Sequence, residues 1–150
     1  MARSHWVAAD RTGIHVRPAD MWIDPSVPRA AAIVTHGHAD HARGGHGETV
    51  ATAETLAIMG LRYGTADGRA LAYGETMERG GVRISLHPAG HVLGSAQVLL
   101  EYEGERVVVT GDFKTRPDPT CAPFEPVPCD IFITEATFGL PVFRHPPIEQ

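Results

Sequence analysis

Thr35-His36-Gly37-His38-Ala39-Asp40-His41 places three imidazoles and one carboxylate within six residues. The run ahead of it, Ala30-Ala31-Ala32-Ile33-Val34, is apolar and predicts a short buried strand. The polar cluster therefore begins where a strand ends and a loop starts, and rigid scaffolds commonly hold functional groups at such points. Gly37 allows a tight backbone turn, so that the rings of His36 and His38 can face one point.

The spacing of this cluster favours a metal site over a solvated histidine-rich turn. Neutral imidazole is the commonest nitrogen ligand of zinc, and carboxylate oxygens often accompany it. His36 and His38 lie two residues apart and can share one ion, whereas Asp40 and His41 can turn to a second. We therefore expect two metal ions at this loop.

Further candidate ligands follow other predicted strands. His91, flanked by Gly90 and Gly94, comes after the alternating segment 82–86, and Asp112 ends a strand directly behind Gly111. Ligands at strand ends of a layered α/β fold converge on one edge. The expected metal-ligating set is His36, His38, Asp40, His41, His91 and Asp112.

Other polar residues have plainer interpretations. Taken alone, Asp24 reads as a turn residue before a proline, and His87 as a structural histidine. Cys121 and Cys129 bracket the proline-rich segment, and they have no further ligands at zinc-site spacing, so free thiols are favoured over a metal pair.

The remaining pattern predicts short elements around these loops. We expect one helix over 54–62, with Thr52 as its cap, and an irregular loop over 116–128. The other elements are strands: two within 5–24, then 49–52, 71–73, 82–86, a hairpin of 96–102 and 106–110, and 130–135.

Length and composition limit the classes of protein to which this chain can belong. The chain has 150 residues, enough for one domain with a core, and a net charge of −5, which argues against a non-specific nucleic-acid coat. No apolar run is long enough for a bilayer, and the N-terminal residues lack the apolar region of a signal peptide. We therefore expect a cytoplasmic protein with no membrane partner.

The histidine motif, His91 and Asp112, in that order, resemble the metallo-β-lactamase fold. The resemblance implies an αββα sandwich with a dinuclear metal site at one edge. Thr134-Glu135-Ala136-Thr137-Phe138-Gly139, followed by Arg144-His145-Pro146, resembles the first motif of the β-CASP nucleases, which cut DNA or RNA. Three stretches are similar to bacterial ligase-associated DNA damage response exonucleases: residues 35–43, residues 87–97, and Asp118-Pro119-Thr120-Cys121 through Pro141-Val142-Phe143-Arg144-His145-Pro146.

The resemblance also assigns roles to residues. It implies that one zinc is held by His36, His38 and His91, and that a second is held by Asp40, His41 and a bridging Asp112. It implies further that Asp24 supports the site from behind by hydrogen bonding, and that Glu135 lies near the metals. The catalytic residues would be Asp40, Asp112 and Glu135, acting with a hydroxide that bridges two zinc ions.

The expected function is that of a metal-dependent phosphodiesterase, a DNA exonuclease in DNA repair that acts on single-stranded or damaged DNA. DNA ligase and helicase partners are implied by the resemblance alone. The alternatives are a β-CASP ribonuclease in RNA processing, an inactive metal-binding fragment, and a hydrolase of thioesters or lactams. Phosphate contacts are expected from Arg43, Lys114, Arg116 or Arg144.

The resemblance implies that residues 1–150 form the N-terminal part of a metallo-β-lactamase domain that is incomplete at its C-terminus. The β-CASP cap domain and the final strands are expected to be absent. Two later histidines of such nucleases, one of them a ligand of the second zinc, have no counterpart in the sequence, and His145 comes too early to be either. The second site is therefore expected to lack one ligand.

Overall fold

The computed structural model describes residues 6–64 and 68–144. It is a mixed α/β structure of two sheets and one helix, which confirms the predicted fold class. The first sheet has six strands in sequence order: β1 (Val7–Asp10), β2 (Gly13–Val16), β3 (Met21–Ile23), β4 (Ala31–Ile33), β5 (Glu48–Ala51) and β6 (Arg69–Ala70). Strands β1 to β3 pair antiparallel, and β3 to β6 pair parallel.

The second sheet has five strands in the order β11-β10-β9-β8-β7. Its pairs are antiparallel except for β10 and β11, which run parallel. The strands are β7 (Thr76–Arg79), β8 (Val82–Pro88), β9 (Ala96–Tyr102), β10 (Glu105–Val109) and β11 (Ile131–Ile133).

The core lies between the two sheets, and the helix covers the outside of the first sheet. Ile33 and Val50 from the first sheet meet Ile84 and Leu100 from the second in one buried cluster. Successive strand residues face opposite sides, so Ala51 points outward and packs with the helix α1 (Ala53–Tyr63). Burial of apolar surface on both faces of the first sheet fixes its register, because a slip of one residue would exchange the faces.

The outer face of the second sheet is covered differently. Among the described residues no second helix lies there, and the proline-rich segment 116–130 crosses part of this face without regular structure, as the sequence predicts for 116–128. The buried Gln97 amide of β9 donates from Nε2 to the Pro88 carbonyl at 2.9 Å and to the Glu125 carbonyl at 2.7 Å. These bonds attach the segment to the sheet.

Three details of the predicted elements are wrong. Residues 5–24 contain three strands instead of two, because the chain turns again at residues 17–20 before β3. The strand predicted over 71–73 lies at Arg69–Ala70, and Tyr73 makes only an isolated bridge to Leu86. Strand β7 was missed, because Met77 is its one buried residue and the segment carries no clear apolar alternation.

Strand direction brings the polar loops to one edge. In the first sheet the parallel strands β3 and β4 end at Ile23 and Ile33, and Asp24 and Thr35 follow them at the same edge. In the second sheet β8, β10 and β11 share a direction, so the loops after them, with His91, Asp112 and Glu135, leave from the same edge. No helix among the described residues has the length and apolar composition needed to cross a bilayer.

The helix start offers a test of this architecture. Thr52, its cap, accepts from the Thr55 backbone N–H at 3.3 Å, and its hydroxyl donates to the Gly94 carbonyl at 2.8 Å. We expect Thr52→Ala to lower the free energy of unfolding by about 1–2 kcal/mol, because both hydrogen bonds are lost at a buried position. Urea denaturation measures the change. Thr52→Ser keeps the hydroxyl and should lose less than half as much; equal losses would contradict a role for the hydroxyl.

Candidate metal centre

The carboxylate of Asp24 joins the ends of two neighbouring strands. It accepts from the Thr35 backbone N–H at 2.8 Å through Oδ1 and from the Thr35 hydroxyl at 2.6 Å through Oδ2. The same Oδ2 lies 2.8 Å from His41 Nδ1, and since a carboxylate oxygen only accepts, Nδ1–H is the donor. Asp24 therefore provides the hydrogen-bonded support that the resemblance implies, although its sequence context alone indicated only a turn.

The bond to Asp24 orients His41. This hydrogen bond raises the pKa of His41 above its ordinary value, with further support from the negative charges of Asp24 and Asp112. With Nδ1 donating, Nε2 faces the candidate site, 3.5 Å from Asp112 Oδ2 and 3.6 Å from Asp40 Oδ2. Metal-binding histidines commonly donate one ring N–H to a carboxylate in this way, which fixes the ring and leaves the second nitrogen free to face an ion.

His36 is the buried centre of the cluster. Its Nδ1 lies 3.0 Å from Thr35 Oγ1, and because that hydroxyl already donates to Asp24, Nδ1–H must be the donor here. Burial, followed by the neighbouring histidines, lowers the pKa of His36 to about 3, so the ring is neutral at neutral pH. Its Nε2 is buried and has no hydrogen-bond partner. A neutral nitrogen left without a partner in a polar cluster is a position that suits a metal ion.

Three further donor atoms lie close to this nitrogen. One ligand atom from each of His36, His38, His91 and Asp112 lies within 4.8 Å of the others. Asp112 Oδ2 is 3.7 Å from both His36 Nε2 and His91 Nε2, and His38 Nδ1 is 3.3 Å from His91 Nε2. A second group within the same limit comprises Asp24, His36 and His41. Asp112 thus lies between His41 on one side and the group of His36, His38 and His91 on the other. A ligand shared by two ions would be placed there.

Close approach of the two sheets brings Asp112 to this position. Gly111 has φ +56°, and a Cβ there would lie 2.7 Å from the side chain of Thr35. A larger residue would therefore push the loop after β10 away from the loop after β4.

The His91 loop is held by a residue that the sequence analysis missed. The buried Ser95 Oγ accepts from the backbone N–H of His91 at 3.0 Å and of Val92 at 3.2 Å. The Tyr73 hydroxyl in turn donates to the Ser95 carbonyl at 2.8 Å. A serine four residues after a candidate ligand was the available signal, because short polar side chains commonly hydrogen-bond nearby backbone groups.

The predicted residues Asp40 and Glu135 line an open cleft of about 290 Å³ beside the cluster, together with Asp112. Asp40 is 74% exposed, and apart from its 3.6 Å approach to His41 it belongs to neither close group of ligand atoms. The Thr137 backbone N–H donates to Glu135 and lowers the pKa of that carboxyl, so Glu135 is ionised at neutral pH. The assigned roles of all these residues as ligands and catalysts stay predictions.

The other described candidates belong to neither group of ligand atoms. Lys114 pairs with Asp118 at 3.1 Å, whereas Arg43, Arg116 and Arg144 are exposed. His145 and Pro146 of the predicted nuclease motif lie outside the described residues. His87 is 3.0 Å from Ser85 Oγ, in keeping with a structural histidine, and Cys121 and Cys129 are free.

Replacement of Asp24 by asparagine tests the support of the cluster. The amide offers one oxygen where the carboxylate offers two, so Thr35 Oγ1 and His41 Nδ1 lose their shared acceptor. We expect Asp24→Asn to weaken the binding of a divalent metal ion by roughly 10–100-fold, measured with Zn²⁺ as the probe in competition with a chromophoric chelator. Asp20→Asn is the matched control, since Asp20 is 82% exposed and pairs with His15, which belongs to neither group of ligand atoms. Unchanged affinity in Asp24→Asn would contradict the supporting role.

Comparison with known proteins identifies relatives over most of the chain. The sequence is 34% identical over 148 residues to a probable DNA ligase of Opitutus terrae, covering 97% of this chain and 14% of the relative. It is 36% identical over 108 residues to endoribonuclease YSH1 of Eremothecium gossypii, covering 71% of this chain and 13% of the relative. It is 29% identical over 141 residues to ribonuclease TTHA0252 of Thermus thermophilus, covering 73% of this chain and 32% of the relative.

No family model matches the sequence. The chain spans about a third or less of the length of these relatives. The histidine motif, the two facing sheets and the relatives nevertheless agree with one another, and they show that the chain belongs to the β-CASP family of the metallo-β-lactamase fold.

Proposed function

We propose that this chain forms the metal-binding part of a zinc-dependent nuclease that acts on DNA. The observation that carries the proposal is the convergence of four ligand atoms within 4.8 Å of one another, among them the buried, unpartnered Nε2 of His36. Imidazole nitrogens with carboxylate oxygens form a donor set that suits zinc, whereas magnesium and calcium sites are built from oxygen alone. The ligand atoms come from three loops, those after β4, β8 and β10, so folding assembles the site.

In this proposal the ligands divide into two sets that share one carboxylate. His36, His38 and His91 would hold one ion, and His41, Asp40 and Asp112 would hold the other, with Asp112 offering its carboxylate to both. The position of Asp112 Oδ2, within 3.7 Å of the nitrogens of His36, His41 and His91, supports a bridge. Asp40 would need a small rotation toward His41, and its exposure leaves room for that movement.

Divalent ions at such a pair of sites neutralise charge on a phosphodiester and activate water for attack on phosphorus. The cleft beside the cluster gives the substrate access from solvent. Ionised Glu135 can accept a proton or hold a water but cannot supply a proton, so it does not protonate the leaving oxygen. The neutral ring of His36 offers its nitrogen lone pair without first losing a proton.

A DNA substrate is supported by the relative that matches 97% of the chain, a probable DNA ligase. We extend this to an exonuclease in DNA repair that works beside a DNA ligase and a helicase, with residues 1–150 as the N-terminal part of the metal-binding domain. RNA is the second candidate substrate, because two other relatives are named as an endoribonuclease and a ribonuclease. With a net charge of −5, phosphates would be met by local groups such as Arg43 and Arg116.

A cleavage assay tests the proposal. Zinc-loaded protein is incubated with 5′-labelled single-stranded DNA and with RNA of the same sequence. We expect a ladder of single-nucleotide steps on DNA that His38→Ala reduces by at least 100-fold, because one ligand of the cluster is lost. His15→Ala is the matched control, since this histidine stacks on Trp22 away from the cluster.

The outcomes separate the candidates. Cleavage of RNA alone would move the substrate assignment to RNA. Stoichiometric zinc with no cleavage of either nucleic acid would contradict a nuclease function for this chain and favour a metal-binding fragment. Turnover of a thioester or a lactam in a parallel assay, without nuclease activity, would favour another hydrolase.

A further inference from the structure

The last turn of helix α1 lies against the loop that carries the histidine motif. This loop, residues 37–44, has no regular structure, and its internal backbone bonds use the carbonyls of His38 and His41. Two other loop carbonyls, those of Gly37 and Ala42, accept instead from side chains of the helix. The helix thus supplies hydrogen bonds that the loop's own backbone does not make.

Arg62 and Tyr63 make these bonds. Arg62 Nη2 donates to the Gly37 carbonyl at 2.8 Å, and Nη1 reaches the Ala42 carbonyl at 3.5 Å. The Tyr63 hydroxyl donates to the Ala42 carbonyl at 2.7 Å. The guanidinium group therefore contacts both ends of the segment that holds His38 and His41. Its shorter contact is with the carbonyl of Gly37, and its longer one is with the carbonyl of Ala42.

Packing reinforces the same contact. A Cβ at Gly37 would lie 2.9 Å from the side chain of Ile58, and a Cβ at Gly44 would lie 3.2 Å from the ring of Tyr63. The loop backbone therefore contacts the helix directly at two glycines, and the side chains of Ile58 and Tyr63 determine the distance between the loop and the helix.

We propose that Arg62 and Tyr63 are positioning residues for the metal cluster: they fix the peptides of Gly37 and Ala42, and so aim the rings of His36, His38 and His41 at one point. The inference rests on the proposed metal-binding function. The helix itself is anchored by Leu56 and Met59, which are buried among Val34, Ala42 and Ala51. Arg62 lies outside that apolar contact, at the surface. Its hydrogen bonds therefore stabilise the loop more than they stabilise the packing of the helix.

Cobalt binding measures this role directly. Co²⁺ replaces zinc in nitrogen and oxygen sites, and its visible absorption reports the geometry of the ligands around it. The wild-type chain, Arg62→Ala, Tyr63→Phe and the control Leu61→Ala are titrated with Co²⁺, and the thermal midpoint of each metal-free protein is recorded. Leu61 lies on the same helix and is 90% exposed, so it reports changes in the helix alone.

We expect Arg62→Ala to weaken Co²⁺ binding by at least 10-fold and to shift or weaken the visible bands of the bound ion. Tyr63→Phe, which keeps the ring against Gly44 and removes one hydrogen bond, should weaken binding by about 3-fold or more, while the thermal midpoint falls by no more than about 2–4 °C. Leu61→Ala should match the wild type. Arg62→Lys, which restores a donor for one carbonyl, should recover part of the affinity.

Other results would overturn the inference. If Arg62→Ala and Tyr63→Phe lower only the thermal midpoint and bind Co²⁺ with wild-type affinity and spectrum, the contacts are structural and positioning is refuted while the metal site stands. If the wild-type chain binds no Co²⁺, the metal site itself fails, and this inference falls with it. Should Arg62→Ala not fold, Tyr63→Phe decides the question alone.

Discussion

The two oxygens of Asp24 hold the candidate site together. Through Thr35 they fix the hydrogen bonding of His36, and through Nδ1 they fix the ring of His41. One carboxylate thereby decides which nitrogen of each ring carries its hydrogen, and leaves both Nε2 atoms facing Asp112. The arrangement depends on the parallel pairing of β3 and β4, because only strands that run in the same direction end side by side.

Much of this could be predicted from the sequence, and the exceptions have physical reasons. The histidine motif, its position after a buried strand and the helix capped by Thr52 were all predicted from local patterns, and the structure places them there. Asp24 alone looked like a turn residue, since its partners Thr35 and His41 lie 11 and 17 residues away. Ser95 was missed for a different reason: its partners lie only three and four residues away, but it holds backbone atoms of the His91 loop, and its position after a candidate ligand was the one local signal. Strand β7 was missed because it offers a single buried residue.

Gly37 shows how a correct residue can be predicted for an incomplete reason. The sequence suggested that glycine allows a tight turn between His36 and His38. Gly37 is not among the glycines with positive φ, so its backbone conformation is open to other residues. Glycine is needed there for space, because any Cβ would meet Ile58 at 2.9 Å. Such a requirement comes from tertiary packing and is invisible to reasoning about the local chain.

Helix α1 connects the two loops that carry most of the nitrogen donors. At its first turn the hydroxyls of Thr52 and Thr55 donate to the Gly94 carbonyl in the His91 loop, at 2.8 and 3.3 Å. At its last turn Arg62 and Tyr63 donate to the loop of the histidine motif.

A helix of 11 residues is rigid and about 16 Å long, so the two loops are held at a distance set by the helix. Any movement of one loop away from the helix must break hydrogen bonds with little compensation, because the carbonyls involved are partly or fully buried. Helix α1 therefore covers the first sheet and also fixes the distance between the loop that carries His38 and the loop that carries His91.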